Sequence, residues 1–326
     1  MTASQRYHVS HSTVYAYRGR VAHSHQQLHL TPRPSARQQC LTHTITVTPT
    51  PSTRSEHTDA FGNTVTRLEI DRPHDHLEVL AEMEIAVCET PATLAAGSDS
   101  WERVRERLAY HARPRTAEWL EAVRFRNESP YVRIKRVFGD FARECFEPER
   151  GVAAVAEALM AKIHREFKYS PGATEIATPL LEVLERRHGV CQDYAHLMIA
   201  CLRAWGLAAR YVSGYLRTTP APVGQATPAG TAAAATPKPA PAADTHAAAE
   251  SAPLLGADAS HAWLAVFAPP LGWIEFDPTN NLLVGQDHIA LAWGRDFADV
   301  SPLRGVILGG GSHTLDVKVA VTPIAA

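Results

Sequence analysis

The sequence predicts an α+β protein: an N-terminal all-β region over residues 1–92, then a mixed region over 93–326 in which helices pack on an antiparallel sheet. Three observations predict it. Before residue 92 apolar residues recur at every second position, the repeat of a half-buried strand, and from Trp101 onward they recur at helical spacing. Near the end, SHAWLAVFAPPLGWIEFDPTN (260–280) reads as two strands joined by a Pro-Gly turn.

In the first region, Leu77, Val79, Ala81, Met83, Ile85 and Val87 alternate with Glu78, Glu82 and Glu84. Leu41, Ile45 and Val47 alternate with threonines, and Gly62 and Asn63 supply a hairpin turn. Beyond Trp101, residues 116–126 and 131–145 read as helices. Val152, Val155, Ala156, Leu159, Ile163 and Phe167 mark one face of a stronger helix. Thr178 and Pro179 start a short helix that closes on the basic run Arg186, Arg187, His188 with Gly189 as its stop. A helix follows from Cys191 to Trp205, and AARYVSGYL then reads as a strand. After the hairpin, Gly309 to Gly311 form a turn, and Leu315, Val317, Val319 and Val321 make a last alternating strand. The stretch from about 217 to 256 is rich in Ala, Pro and Thr. It cannot bury enough apolar surface to fold alone, and we read it as a surface loop beside the site edge.

Composition narrows the function. A chain of 326 residues with 45% hydrophobic content has material for about two cores. A formal charge of −2 gives no electrostatic case for nucleic acid or an anionic membrane surface. Five cysteines, an odd number with no CxxC pair, argue against a disulfide scaffold and for a reducing compartment. MTASQRYHVSH lacks the basic start and apolar core of a signal peptide, and no apolar run has membrane-spanning length. Cytoplasm is the expectation by elimination. His23, His25 and His29 have no accompanying Cys or carboxylate set, so solvent or structural contacts are favoured over a metal. The Gly309–Gly311 run lacks the Lys-Ser or Lys-Thr of a phosphate loop. No metal or cofactor is expected.

Cys191 stands where a glycine-ended loop hands over to an amphipathic helix. Unpaired N–H groups at a helix start favour a thiolate and can bind a developing oxyanion. His261 and Asp277 lie near the outer ends of the two arms of the hairpin. A turn centred near Pro269 and Pro270 brings them opposite each other, within a residue of register. There Asp277 can hold one imidazole nitrogen and leave the other for a thiol. Read singly, each residue has a plainer use: a small buried thiol, a strand-edge histidine, an Asp-Pro turn. Asp193 fits the first turn of its helix, where the dipole favours a carboxylate. Gln192 could offer its amide to an oxyanion, with surface solvation favoured. His196 points away from Cys191 on the helix, and Cys201 belongs to the core.

Taken together, GVCQDYAHLMIACLRAWGLAARYVSGYL followed by ASHAWLAVF and GWIEFDPTN resembles the transglutaminase-like branch of the papain-like cysteine enzymes. YHVSHSTVYAYRGRVAHSHQQLHLTPR (7–33), DAFGN (59–63) and residues 294–321 resemble the regions flanking that core in a bacterial subfamily. The resemblance implies a papain-like transglutaminase core after a bacterial transglutaminase-like N-terminal domain. It implies Cys191 as nucleophile, His261 as base and acid, and Asp277 as the group that orients it. It also implies a protein or peptide substrate and permits either hydrolysis or transfer to a primary amine; peptidase or amidase chemistry is expected ahead of transfer because nothing in the sequence marks an amine tunnel. Retention of the fold as a binding module without chemistry is the reading from another class; all three residues being present weighs against it. The 217–256 stretch departs from the pattern, since the family joins these strands by something much shorter. Oligomeric state and the role of the N-terminal region are left open.

Overall fold

The computed structural model describes residues 4–88, 97–110, 115–218, 254–256 and 260–324. From 219 to 253 the Ala/Pro/Thr-rich stretch lies outside the described residues.

The N-terminal sheet is organised around β1 (Ser4–Leu28). On one side of it run β4 (Thr64–Ile70) and β5 (His74–Cys88), end to end and antiparallel to it: Leu28 pairs with Thr66 and Ser4 with Cys88. Outside these lie β2 (Gln38–Thr48) on β5 and β3 (Thr53–Thr58) on β4. The alternation read in the sequence is the burial pattern: Leu77, Val79, Ala81, Met83, Ile85 and Val87 are all at most 1% exposed. Leu41 is the exception among the β2 positions. A bulge between Cys40 and Thr42 turns it out to solvent. In the turn between β3 and β4, Gly62 adopts φ +81° while Asp59 accepts from the backbone N–H groups of Phe61 and Asn63.

The other side of β1 is filled from the far end of the chain. β13 (Leu303–Gly309) and β14 (His313–Ile324) pair with it from Leu28 to Val21 and from Tyr17 to Arg6. A boundary at residue 92 therefore does not enclose this sheet, because residues 303–324, expected with the second region, close its flank. The turn between them has Gly309, Gly310 and Gly311 at positive φ. His23 and His25 face Asp71 and Glu69 across the sheet, while His29 meets the Ser301 carbonyl, so the three histidines diverge.

The second region places helices on a five-stranded antiparallel sheet ordered β11 (Leu282–Leu283), β10 (Trp273–Asp277), β9 (His261–Phe267), β8 (Ala209–Leu216), β12 (His288–Gly294). Preceding it come α1 (Trp101–Leu108), α2 (Ala117–Arg124), α3 (Arg136–Ala142) with a 3₁₀ turn at Arg143–Cys145, and α4 (Val152–Glu166). Two short strands, β6 (Lys168–Tyr169) and β7 (His188–Gly189), pair on either side of α5 (Leu180–Arg186). The α5 stop is Arg187 at φ +57°, not Gly189 as the sequence suggested. Gly189 is reserved for close packing, since a Cβ there would lie 2.6 Å from the Asp193 carboxylate.

α6 (Cys191–Ala204) lies buried against β8 and β9. Its one buried cation, Arg203, donates to the carbonyls of Phe125, Ala209 and Arg295 and to Ser129 Oγ. Burial lowers its pKa to about 9. α7 (Phe297–Val300), capped by Asp296, connects β12 to β13. The two regions are joined by a ladder in which Arg33 and Arg210 sandwich the Trp293 ring at 3.6 and 3.7 Å, with Arg210 also over Trp273 at 4.3 Å.

Candidate active site

Cys191 is the first residue of α6, after an N-cap at Val190. Asp193 Oδ2 accepts from the Val190 N–H at 2.9 Å and from Thr174 Oγ1 at 2.6 Å, so its carboxylate closes the helix start as the dipole argument requires. Burial nevertheless raises its pKa. Gln192 is not simply solvated: its amide donates to the Ile176 carbonyl at 3.2 Å. His196 is buried on the far side of α6, stacked on Tyr131 and accepting from the Phe297 N–H, and burial lowers its pKa to about 3. Cys201 is fully buried, and burial pushes its thiol pKa upward.

The hairpin brings His261 and Asp277 together by a route that differs from the expected one. β9 and β10 pair with Trp273 opposite Phe267 and Phe276 opposite Leu264, which centres the turn on residue 270. Moving the centre one residue along shifts the register by two, so the pair meets diagonally, a geometry long side chains span. His261 Nε2 and Asp277 Oδ2 are 2.9 Å apart, with both side chains fully buried. Its other ring nitrogen, Nδ1, makes no hydrogen bond among the described residues, and the Cys191 sulfur is close enough to the imidazole to favour its charged form.

The electrostatics follow from this placement. Burial alone would lower the His261 pKa, but the Asp277 carboxylate and the Cys191 sulfur outweigh it and hold it at about 10. Burial likewise works against the Asp277 anion, yet the charge of His261 and the hydrogen bonds it receives keep its pKa below the ordinary carboxylate range. Asp277 is densely served. Oδ1 accepts from the backbone N–H groups of Thr279 and Asn280, and Oδ2 accepts from Asn280 Nδ2 at 2.8 Å as well as from His261.

Several neighbours escaped the sequence reading. Asn280, which serves Asp277, also exchanges hydrogen bonds with Leu255, and Gly256 beside it, at φ +84°, lies against His261: a Cβ there would be 2.9 Å from Nδ1. Asp277-Pro278-Thr279-Asn280 is a readable turn signature, and it could have pointed to Asn280. Gly214, opposite His261 on β8, has no room for a side chain, since a Cβ would lie 2.1 Å from the Ile289 carbonyl and 2.4 Å from the Trp263 ring. Among the described residues no group of three or more His, Cys, Asp or Glu is arranged to hold a metal ion. No helix there is long and apolar enough to cross a membrane.

Comparison with known proteins gives this geometry its context. Residues 7–86 match the bacterial transglutaminase-like N-terminal region, and residues 139–278 match the transglutaminase-like superfamily. An uncharacterized protein of Mycobacterium tuberculosis is 35% identical over 331 positions, spanning 99% of this chain and 94% of its own. A Pseudomonas aeruginosa protein named protein-glutamine gamma-glutamyltransferase is 27% identical over 222 positions, covering 62% of this chain but 28% of its own. Among solved structures, a Cytophaga hutchinsonii protein provisionally described as a cysteine protease superposes with a TM-score of 0.73. The match covers 100% of this chain and 92% of that one at 17% identity, a likeness of fold alone. From the matched regions and the full-length relative together, the chain belongs to the transglutaminase-like superfamily.

Proposed function

We propose that the protein is a cysteine enzyme that cleaves peptide or side-chain amide bonds through a thioester on Cys191. One observation carries the reading: His261 is fixed by Asp277 through Nε2, its Nδ1 has no hydrogen-bond partner among the described residues, and the Cys191 sulfur acts electrostatically on the ring. In this mechanism the thiol proton passes to Nδ1 and the sulfur attacks the amide carbonyl. Backbone N–H groups at the start of α6 stabilise the oxyanion. Collapse breaks the C–N bond, and His261 Nδ1 protonates the departing amine. Water, deprotonated by the same nitrogen, then attacks the thioester, giving a carboxylic acid and the free thiol. Asp277 keeps the proton on Nε2, so that Nδ1 is the accepting nitrogen.

A second reading replaces water with a primary amine, and the name of the Pseudomonas relative favours it. The two share every step to the thioester. Incubating the full chain with a glutamine-rich protein and a labelled primary amine, while following ammonia, new amino termini and incorporated label, separates them. Hydrolysis exceeding incorporation, with both lost in Cys191→Ala, is the expected result; incorporation exceeding hydrolysis selects the transferase. Full activity in Cys191→Ala would remove the mechanism. Iodoacetamide near neutral pH should modify Cys191 ahead of Cys40, Cys88, Cys145 and Cys201.

A further inference from the structure

Asp277 carries two imidazoles on one oxygen. His288 Nε2 lies 3.2 Å from Oδ2, the atom that also receives His261. The mechanism above uses only the first. His288 is 2% exposed, opens β12, and sits edge-on to the Trp263 ring at 5.3 Å. The Gly285 N–H points at its Nδ1 at 3.5 Å. With the Gly285 N–H directed at Nδ1, Nε2 is the nitrogen that donates to the carboxylate.

The N-terminal region holds the strand that presents it. Arg37 Nη1 donates to the carbonyls of Gly285 and His288 at 3.0 and 2.8 Å. The Gln38 side-chain amide exchanges two hydrogen bonds with the Ala290 backbone, at 2.7 and 2.8 Å. Among the described residues, the charged and titratable groups tied to His288 or to its immediate neighbours include Asp277, His261, Arg37, Glu275, Asp287 and Arg217. Glu275 pairs with Arg37 and accepts from Trp263 Nε1, while Asp287 pairs with Arg217 and accepts from the Tyr7 hydroxyl.

We propose that His288 is a positioning residue for the triad, and that Arg37 and Gln38 of the N-terminal region clamp it onto Asp277. The proposal rests on the triad reading above. By sharing Oδ2, His288 fixes the carboxylate in one orientation and takes up part of its negative charge. His261 is then held without being made so basic that its proton is withheld from the leaving amine.

The test needs no substrate. Iodoacetate is an anion, so its attack on Cys191 is favoured by a protonated His261 and slows as that proton is lost. The rate of Cys191 carboxymethylation in the full chain, read by peptide mass spectrometry from roughly pH 5 to 11, therefore has a falling limb whose midpoint reports His261. His288→Phe should move that midpoint upward by about half a unit or more, because Asp277 loses a donor and acts more strongly on His261. His288→Gln, whose amide reaches Oδ2, should bring it at least halfway back. Gln38→Ala should shift it upward by less. A purely structural residue would lower the melting temperature and leave the midpoint where it was. An unmoved midpoint in folded His288→Phe overturns the proposal. If that variant does not fold, His288→Asn, whose amide is too short to reach Oδ2, is read in the same way. An unmoved midpoint in Gln38→Ala overturns the clamp. A wild-type profile with no falling limb overturns the triad reading itself, an outcome distinct from a wild-type limb that the variants fail to move.

Discussion

Asp277→Asn tests the site with the smallest change of shape. Oδ1 accepts two backbone N–H groups, so the asparagine oxygen takes that place and its NH2 group falls where Oδ2 was. There it faces His261 Nε2, His288 Nε2 and Asn280 Nδ2, donors set against a donor. His261 should relieve the conflict by moving its proton to Nδ1, the nitrogen that accepts from Cys191 in the proposed mechanism. The ion pair lost spans 2.9 Å. At an effective dielectric of about 20 that distance corresponds to about 6 kcal/mol as a ceiling, or about four decades in rate. We expect kcat/KM for amide cleavage to fall by about 10³- to 10⁴-fold, with a residue of activity because Cys191 and the start of α6 are intact. The assay is ammonia or new amino termini released from a glutamine-rich protein, alongside iodoacetamide labelling of Cys191. Activity within about tenfold of wild type would refute the argument. Stability supplies a second reading. The raised His261 pKa stabilises fully below about pH 6.5 and is lost as pH rises toward 10, and the lowered Asp277 pKa stabilises above about pH 4. The difference in melting temperature between wild type and Asp277→Asn should therefore be largest between those two values and shrink at alkaline pH.

Further outcomes follow from other residues. His196 is buried and neutral, its pKa lowered to about 3, so the unfolded chain takes up a proton that the native state refuses. Lowering the pH from about 6.5 to 5 should cost about 1.6 kcal/mol through this group alone, and denaturant melts of His196→Gln should show that much less acid sensitivity. Gly214→Ala places a methyl group against the Ile289 carbonyl and Trp263, and we expect a loss of about 3 kcal/mol or more, read as a lower melting temperature; an unchanged melting point would refute the close packing of β8 on β12. Replacing residues 219–253 with a Gly-Ser linker should leave the melting temperature within a few degrees, since their composition offers little to bury. A large drop would show that the stretch packs on the core.

The hairpin was legible because its information is local. Two apolar arms around Pro269, Pro270 and Gly272 fix which strands pair, and side-chain parity puts His261 and Asp277 on one face whichever residue centres the turn. Only the register was misjudged, and diagonal reach absorbed the shift. α6 was equally plain, because its apolar periodicity and the Cys191 start lie in one run. His288 had no such signature. Its contact with Asp277 depends on β12 joining β8 at the far edge of the sheet from β10, with Trp263 filling the space that Gly214 leaves open. Nor do Arg37 and Gln38 announce that they will grip Gly285, His288 and Ala290 some 250 positions later. The partner of β1 was hidden for the same reason, since alternation in residues 315–321 says that a strand forms but not which sheet receives it.

That last pairing has a consequence for the birth of the protein. β1 acquires its neighbours β4 and β5 within the first part of the chain, but the opposite flank is covered only by β13 and β14. Roughly 300 residues separate the two partners, and at about 5–20 residues per second the ribosome needs on the order of 15 to 60 seconds to supply them. Throughout that interval β1 presents an open row of amide and carbonyl groups from Arg6 to Leu28, the kind of edge that recruits stray strands. Whatever shields that edge in the growing cell, whether a chaperone or the nascent second region itself, has to yield when residues 303–324 arrive. Yield of folded protein should for that reason depend on translation speed more than its final stability would suggest.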